Sequence, residues 1–305
     1  MRQYFGRLNL TCVSLAALCV LAWSAPAAAD QGGQIADSVE RTFSIAARPA
    51  VMIKNVDGRT LVSAGAQQSV QVRAVKEVFR AKSREEAQRA AAEVHVRIEQ
   101  IASRIEVETV YPKNWFPFGT RPSVEVHIEV TMPASGDLEA RSIDGPMHVE
   151  GINGRIVVST VDGDLTVRRC TGNIEARSVD GRLLLEDSGE TVKARTVDGN
   201  ITITGLLKNL EVSTTDGDLD ITIEDGSRIE AEWEIRSTDG DIVLRMPEGF
   251  SADLDIQTGD GRITNQHAVV ISGDVSGRRL KGRMNSGGGL LQIRTSDGDV
   301  AISKR

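Results

Sequence analysis

Cysteine, aromatic residues, histidine and long apolar runs are all scarce in this chain, and each shortage narrows what it can be. The three cysteines are Cys12, Cys19 and Cys170. The first two lie in the only long apolar run, residues 10–23, which follows Arg2 and Arg7 and precedes the small residues Ala27, Ala28 and Ala29. That layout reads as a secretory signal peptide over residues 1–29, too short for a stable membrane span. With the leader removed, Cys170 stands alone and no intramolecular disulfide can form. No later stretch is long and apolar enough to cross a bilayer, so an exported chain without a transmembrane segment is expected, periplasmic or associated with the cell envelope. The four histidines, His95, His127, His148 and His267, fall far apart and match no metal-ligand spacing. Positive charge is also in deficit. The full chain carries a formal charge of −7, and losing Arg2 and Arg7 with the leader takes it to −9. Bulk charge of that sign argues against nucleic acid or anionic lipid as a partner.

What the chain has instead is a repeat. Eight Asp-Gly pairs begin at Asp144, Asp162, Asp180, Asp198, Asp216, Asp239, Asp260 and Asp297, the first five of them 18 residues apart. A fixed short period is read before any local signal. With each Asp as position zero, position −6 holds Leu138, Ile156, Ile174, Val192, Leu210, Trp233, Leu254 and Leu291. Position −4 holds Ala140, Val158, Ala176, Ala194, Val212, Ile235, Ile256 and Ile293. After the Gly, positions +3 and +5 are apolar in every copy except at Asn265. Apolar residues two apart mark one face of a strand, so each unit holds two short strands.

The predicted fold is all-β: a β-solenoid of about 18-residue, two-strand coils, with one short helix in the amino-terminal part. Four apolar columns at ~1.5–3 kcal/mol per buried side chain give each coil enough gross burial to offset chain ordering. An antiparallel β meander or sandwich satisfies the same columns, but it would need a cover for its apolar face, and one helix cannot supply that. In either case Gly after Asp supplies the positive φ of a tight corner, and the Asp carboxylate is expected to accept hydrogen bonds from amides in its own corner. Ser or Thr at −2 points inward, at the core edge. Arg at −3 and Glu at −5 form a solvated ladder of weak ion pairs. Cys170 reads as a small buried apolar residue.

The expected organisation is residues 1–29 as leader, 30–133 as a strand and helix region packing on or capping the solenoid, and 134–305 as the solenoid. Residues 51–62 read as a degenerate first copy, with Asn55 where the others carry Ser or Thr. Ser83 and Glu86 make a capping-box pattern before Ala87, Ala90, Ala91 and Val94, which recur at helical spacing.

Two stretches break the repeat and are the candidate contact sites. Tyr111, Trp115, Phe116 and Phe118 cluster on one loop, where exposed aromatics suit a partner contact; the same loop could instead close one end of the stack. Arg278 and Arg279 lie in residues 266–290, a basic island on an acidic protein. It reads either as a partner site or as a loop that lets the last coil close the carboxyl end. The stacked carboxylates raise calcium as a candidate ligand, though their spacing is neither that of an EF-hand nor of a calcium-binding nonapeptide. No cofactor is expected. No single acid pair stands out from the repeated aspartates, as a glycosidase would require.

The text of residues 43–62, the single helix followed by strands, the Val-Asp-Gly-Asp-Leu unit at 161–165 and the closing Leu-Gln-Ile-Arg-Thr-Ser-Asp-Gly-Asp-Val at 291–300 resemble the widespread bacterial putative-adhesin domain family of unknown function. The resemblance spans most of the mature chain and implies an exported or envelope-associated β-solenoid with no established enzyme activity and no transferable site residues. The expected function is therefore non-catalytic, an adhesin or scaffold whose surface binds an envelope protein or glycan. A polysaccharide-cleaving solenoid enzyme is the alternative.

Overall fold

The computed structural model describes residues 33–45, 48–65, 68–113, 115, 122–272 and 276–305; the predicted leader and the sequence candidates Phe116 and Phe118 lie outside them. Gly33–Arg305 packs as one unit. Its strands form two facing sheets, of twelve and thirteen strands among the described residues. The strand before each Asp-Gly joins one sheet and the strand after it joins the other. Successive copies pair in parallel and in register: Ile156 with Ile174, Val158 with Ala176, Leu165 with Leu183 and Val167 with Leu185. This is the solenoid, not the antiparallel meander.

The apolar columns meet between the sheets and are buried in every coil, except that Ile263 and Asn265 of the 252–265 coil are half-buried. Outward positions carry the expected ion pairs, including Arg141–Glu139 at 2.8 Å, Lys193–Glu211 at 2.9 Å, Arg177–Glu175 and Arg236–Glu234. Cys170 is fully buried, and burial pushes its thiol pKa up.

At the amino-terminal end the degenerate copy does stack as a coil. Val51 pairs with Leu138, Ile53 with Ala140 and Val62 with Val149. Beyond it, Arg104–Val110 and Ser123–Pro133 add one more parallel layer, and antiparallel strands then close both sheets. The helix Arg84–Glu93 begins where predicted. The amide of Glu86 donates to the Ser83 Oγ, and buried Ala87, Ala90 and Ala91 face the sheet end. Lys76, also buried, donates from Nζ to the carbonyl of Ala91 and pairs with Asp37 at 2.9 Å.

The carboxyl-terminal end departs from the expected order. The last coil in the chain does not close the stack. Leu290–Asp297 lies between Trp233–Arg236 and Ala252–Asp260, pairing in parallel with both, and Val300–Lys304 lies likewise between Ile242–Met246 and Ile263–Asn265. The coil built from residues 252–265 is thus outermost, and its free edge is covered by the antiparallel strand Arg279–Met284 and then by Val269–Ile271. The segment 266–290 is an end cover followed by a return path. The physical reason is edge protection: an antiparallel strand can seal a parallel sheet's open edge, but the chain must then double back, and the only vacant position is the one it skipped. Next to this end, fully buried Trp233 packs its ring 5.4 Å from that of Phe250 and donates from Nε1 to the Lys208 carbonyl.

Candidate functional site

The five corners from Asp144 to Asp216 are built the same way, whereas Ser237 and Thr258 donate instead to the Gly217 and Gly298 carbonyls of adjacent coils. The hydroxyl at −2 is buried and donates to the carbonyl of its own Asp: Ser142 to Asp144 at 3.0 Å, Thr160 to Asp162 and Ser178 to Asp180, both at 3.2 Å. The amide of each Asp donates to the −1 carbonyl of the neighbouring coil, Asp162 to Ile143, Asp180 to Val161, Asp198 to Val179 and Asp216 to Val197, all at 2.8 Å. These bonds stack the corners into one continuous edge. In the degenerate copy Asn55 replaces the hydroxyl and donates from Nδ2 to the carbonyls of Gly58 and Val126, bridging two layers.

The carboxylates do not behave as the sequence suggested. Among the described residues, those of Asp144, Asp162, Asp180, Asp198, Asp216 and Asp239 make no hydrogen bond or ion pair; the residues are exposed and stack in register. The bond expected of them is made two residues later and across coils. Asp164 accepts from the amide of Arg182, Asn200 from that of Asp218, Asp218 from that of Asp241, and Asp241 from that of Asp299. A corner this tight directs the position-zero side chain outward, while +2 sits beside the next coil's backbone.

The second feature of this edge is the column at −1. Ile143, Val161, Val179 and Val197 are 54, 46, 46 and 50% exposed. Val56 stands in the same column, half-buried, in the degenerate coil. An apolar ridge therefore runs beside an uncompensated row of carboxylates. Sequence reasoning treated −1 as a free position and missed the ridge. The signal was present: −1 follows an inward residue, so by alternation it faces out, yet four successive copies carry Ile or Val there.

The sequence candidates lie at opposite ends of the stack, and the structure does not bring them together. Tyr111 and Trp115 leave the corner edge of the outer amino-terminal layer. Their rings meet edge-on at 5.8 Å and pack partly buried against the core, and the Tyr111 hydroxyl donates to the Val124 carbonyl at 2.8 Å. Arg278 pairs with Asp260 at 3.1 Å and Arg283 with Asp253 at 3.3 Å, so part of the basic island is neutralised by the coil it covers. Arg279 opens the covering strand and is exposed.

Titration is perturbed most at the amino-terminal corner. Burial, with repulsion from Glu125 and Asp144, pushes the Asp57 carboxyl up to about 7. Glu125 is raised too, mainly by burial, and burial with the nearby Asp57 and Glu125 charges raises the Tyr111 phenol. His127 accepts the Arg59 amide at Nδ1, which leaves Nε2–H facing Glu77 at 2.8 Å. A carboxyl raised in the fold holds its proton where the unfolded chain has lost it, so Asp57 costs stability progressively as pH rises from about 4 to about 7. Asp57→Asn is expected to raise the Tm at pH 8 and to lose that advantage by pH 4. Melting curves of the two proteins at pH 4, 6 and 8 check this, and equal Tm values throughout would contradict it.

Among the described residues no group of three or more His, Cys, Asp or Glu side chains is arranged to hold a metal ion. The stacked carboxylates each come from a different coil and point the same way, so they form a row rather than a cage. Millimolar calcium is expected to leave the Tm unchanged; a rise of several degrees in a calcium titration would contradict that.

A family model described as Toastrack DUF4097 matches residues 64–303. No curated protein matches the chain. Among solved structures, a putative cell adhesion protein from Clostridium sporogenes is 11% identical, with 88% of this chain and 100% of that chain covered and a TM-score of 0.31. A putative adhesin from Bacteroides fragilis is 9% identical over 88% of this chain and 97% of that one, with a TM-score of 0.42. A putative lipid binding protein from Parabacteroides distasonis is 11% identical at the same coverages, with a TM-score of 0.40.

Proposed function

The chain belongs to the Toastrack DUF4097 family, and on that premise we propose that it works without catalysis, as an exported cell-envelope protein with an adhesin-like or scaffold-like role. One observation carries this reading: the corner edge repeats the same exposed apolar and acidic columns coil after coil, held in register by backbone bonds. A surface that repeats along a rigid stack is suited to an extended contact. No helix among the described residues is long and apolar enough to cross a membrane. The partner class is an envelope protein or glycan. The test is binding of the purified exported chain to isolated envelopes. Saturable binding above that of an unrelated acidic protein supports the reading, and its absence, or retention of the full-length chain in the cytoplasm on fractionation, contradicts it.

The rival, a polysaccharide-cleaving enzyme, draws on one feature, Asp57, whose raised pKa beside Glu125 and Asp144 occurs once and in an irregular coil. Release of reducing ends from envelope polysaccharide by the wild type, lost in Asp57→Asn, would favour that rival. No release by either protein is the expected result.

A further inference from the structure

The apolar ridge is not required by the fold. Later coils place Thr215 and Thr238 in the same column, with the same bond from the next Asp amide to their carbonyls, at 2.8 and 2.9 Å. Thr matches Val in shape and in strand preference, so a Thr-bearing column would stack as well. Val56, Ile143, Val161, Val179 and Val197 instead keep an apolar stripe in five successive layers, four of them about half exposed. Exposed apolar surface gathered in one line marks a contact site more often than scattered residues do.

Charge and spacing then select the occupant. On one side of the ridge lie Asp144, Asp162, Asp180 and Asp198, without partners among the described residues. On the other, Arg141, Arg177 and Arg195 are held by Glu139, Glu175 and Glu211. The uncompensated charge is negative, so a second copy of this chain laid ridge to ridge would be repelled at neutral pH. A cationic partner would be drawn in. Layers about 4.8 Å apart make the ridge about 19 Å long. A strand laid along it would offer same-face side chains only every ~6.6 Å. A helix rises about 5.4 Å per turn, close to one turn per coil, and would span the ridge with roughly 13 residues.

We propose that residues Val56, Ile143, Val161, Val179 and Val197, with the adjacent row Asp144, Asp162, Asp180 and Asp198, form the docking surface for a basic amphipathic helix of a partner protein. The helix's apolar stripe would lie on the ridge, with its lysines or arginines over the carboxylates. The inference rests on the non-catalytic binding reading and names the surface that reading lacks.

The probe is a synthetic 14-residue Leu/Lys helical peptide with one apolar stripe, titrated into the exported chain. A second peptide has the same composition with the stripe scrambled. Two variants of the chain accompany them: Val161→Thr with Val179→Thr and Val197→Thr, and Asp162→Asn with Asp180→Asn and Asp198→Asn. The wild type should bind the striped peptide at least tenfold more tightly than the scrambled one, and each triple variant should lose at least tenfold, with Tm within a few degrees of the wild type. Equal binding of both peptides, or unchanged binding by the Thr variant, would overturn the proposal. So would a wild-type dimer at neutral pH that the Thr variant abolishes. If the Thr variant still binds isolated envelopes as the wild type does, the helix site fails while the general binding reading stands; if the wild type binds no envelopes, that reading fails on its own.

Discussion

Gly181→Ala is expected to cost about 3 kcal/mol or more of stability, a large share of what a domain has. Two independent penalties add. Gly181 sits at φ +136°, a conformation that side-chain-bearing residues rarely adopt. A Cβ built there would also lie 2.3 Å from the carbonyl oxygen of Gly163 and 2.7 Å from its carbon. Those atoms belong to the neighbouring coil's backbone, which is held in place by the amide of Gly163 donating to the carbonyl of Asp180 at 3.1 Å and by the flanking parallel strands. Relief therefore requires the two coils to separate, which breaks bonds rather than rotating a side chain. A chain of this size should lose roughly 6–12 °C in Tm. Gly249→Ala is the control, because a Cβ there meets nothing within 4 Å; its Tm should stay within a degree or two. Equal melting of the two variants would mean that the corners do not stack as closely as described.

Ending the chain after Gly289 is expected to do more than trim one end. The lost coil carries Leu291, Ile293, Val300 and Ile302, all buried, at a gross burial of ~1.5–3 kcal/mol each. It also supplies parallel partners to strands on both sides, Trp233–Arg236 with Ile242–Met246 and Ala252–Asp260 with Ile263–Asn265. Residues 252–284 would lose their attachment to the stack, and the amides of Ala252–Asp260 and Arg279–Met284 should exchange with solvent at near unfolded rates. Coils up to Ile223 should keep their protection, since repeat stacks melt locally. Had the coils stacked in chain order, the same truncation would shave only the outermost layer and leave residues 252–260 protected. Hydrogen exchange on the truncated chain separates the two arrangements.

The coil interior was legible in the sequence because burial writes itself into a period of two: the columns from Leu138 to Ile302 lie where alternation put them, and the degenerate copy at Val51, Ile53 and Val62 stacks as read. Ser83 and Glu86 located the helix for a similar local reason. The order of the last coils was not legible. Leu254, Ile256, Leu291 and Ile293 fit the columns equally well in either order, and nothing within one coil says which coil is its neighbour. Only the antiparallel cover of Arg279–Met284 forces the exchange. The corner carboxylates misled because Asp beside Gly has a good local use in turns, whereas here the bonding acid is the one at +2, across coils. The contact candidates were sought where the repeat breaks, at Tyr111 and Trp115 and at Arg278 and Arg279. The ridge lies where the repeat is most regular, in a column whose contents look unconstrained until the corners are stacked.

Hydroxyl-radical footprinting of the protein, with and without isolated envelopes, shows whether the ridge is a contact surface, because exposed aliphatic side chains are oxidised unless a partner covers them. Envelopes are expected to suppress oxidation at Ile143, Val161, Val179 and Val197 while Trp115, Val270 and Ile271 react as before. Protection confined to Trp115 or to Val270 and Ile271, with the four ridge residues still oxidised, would contradict that.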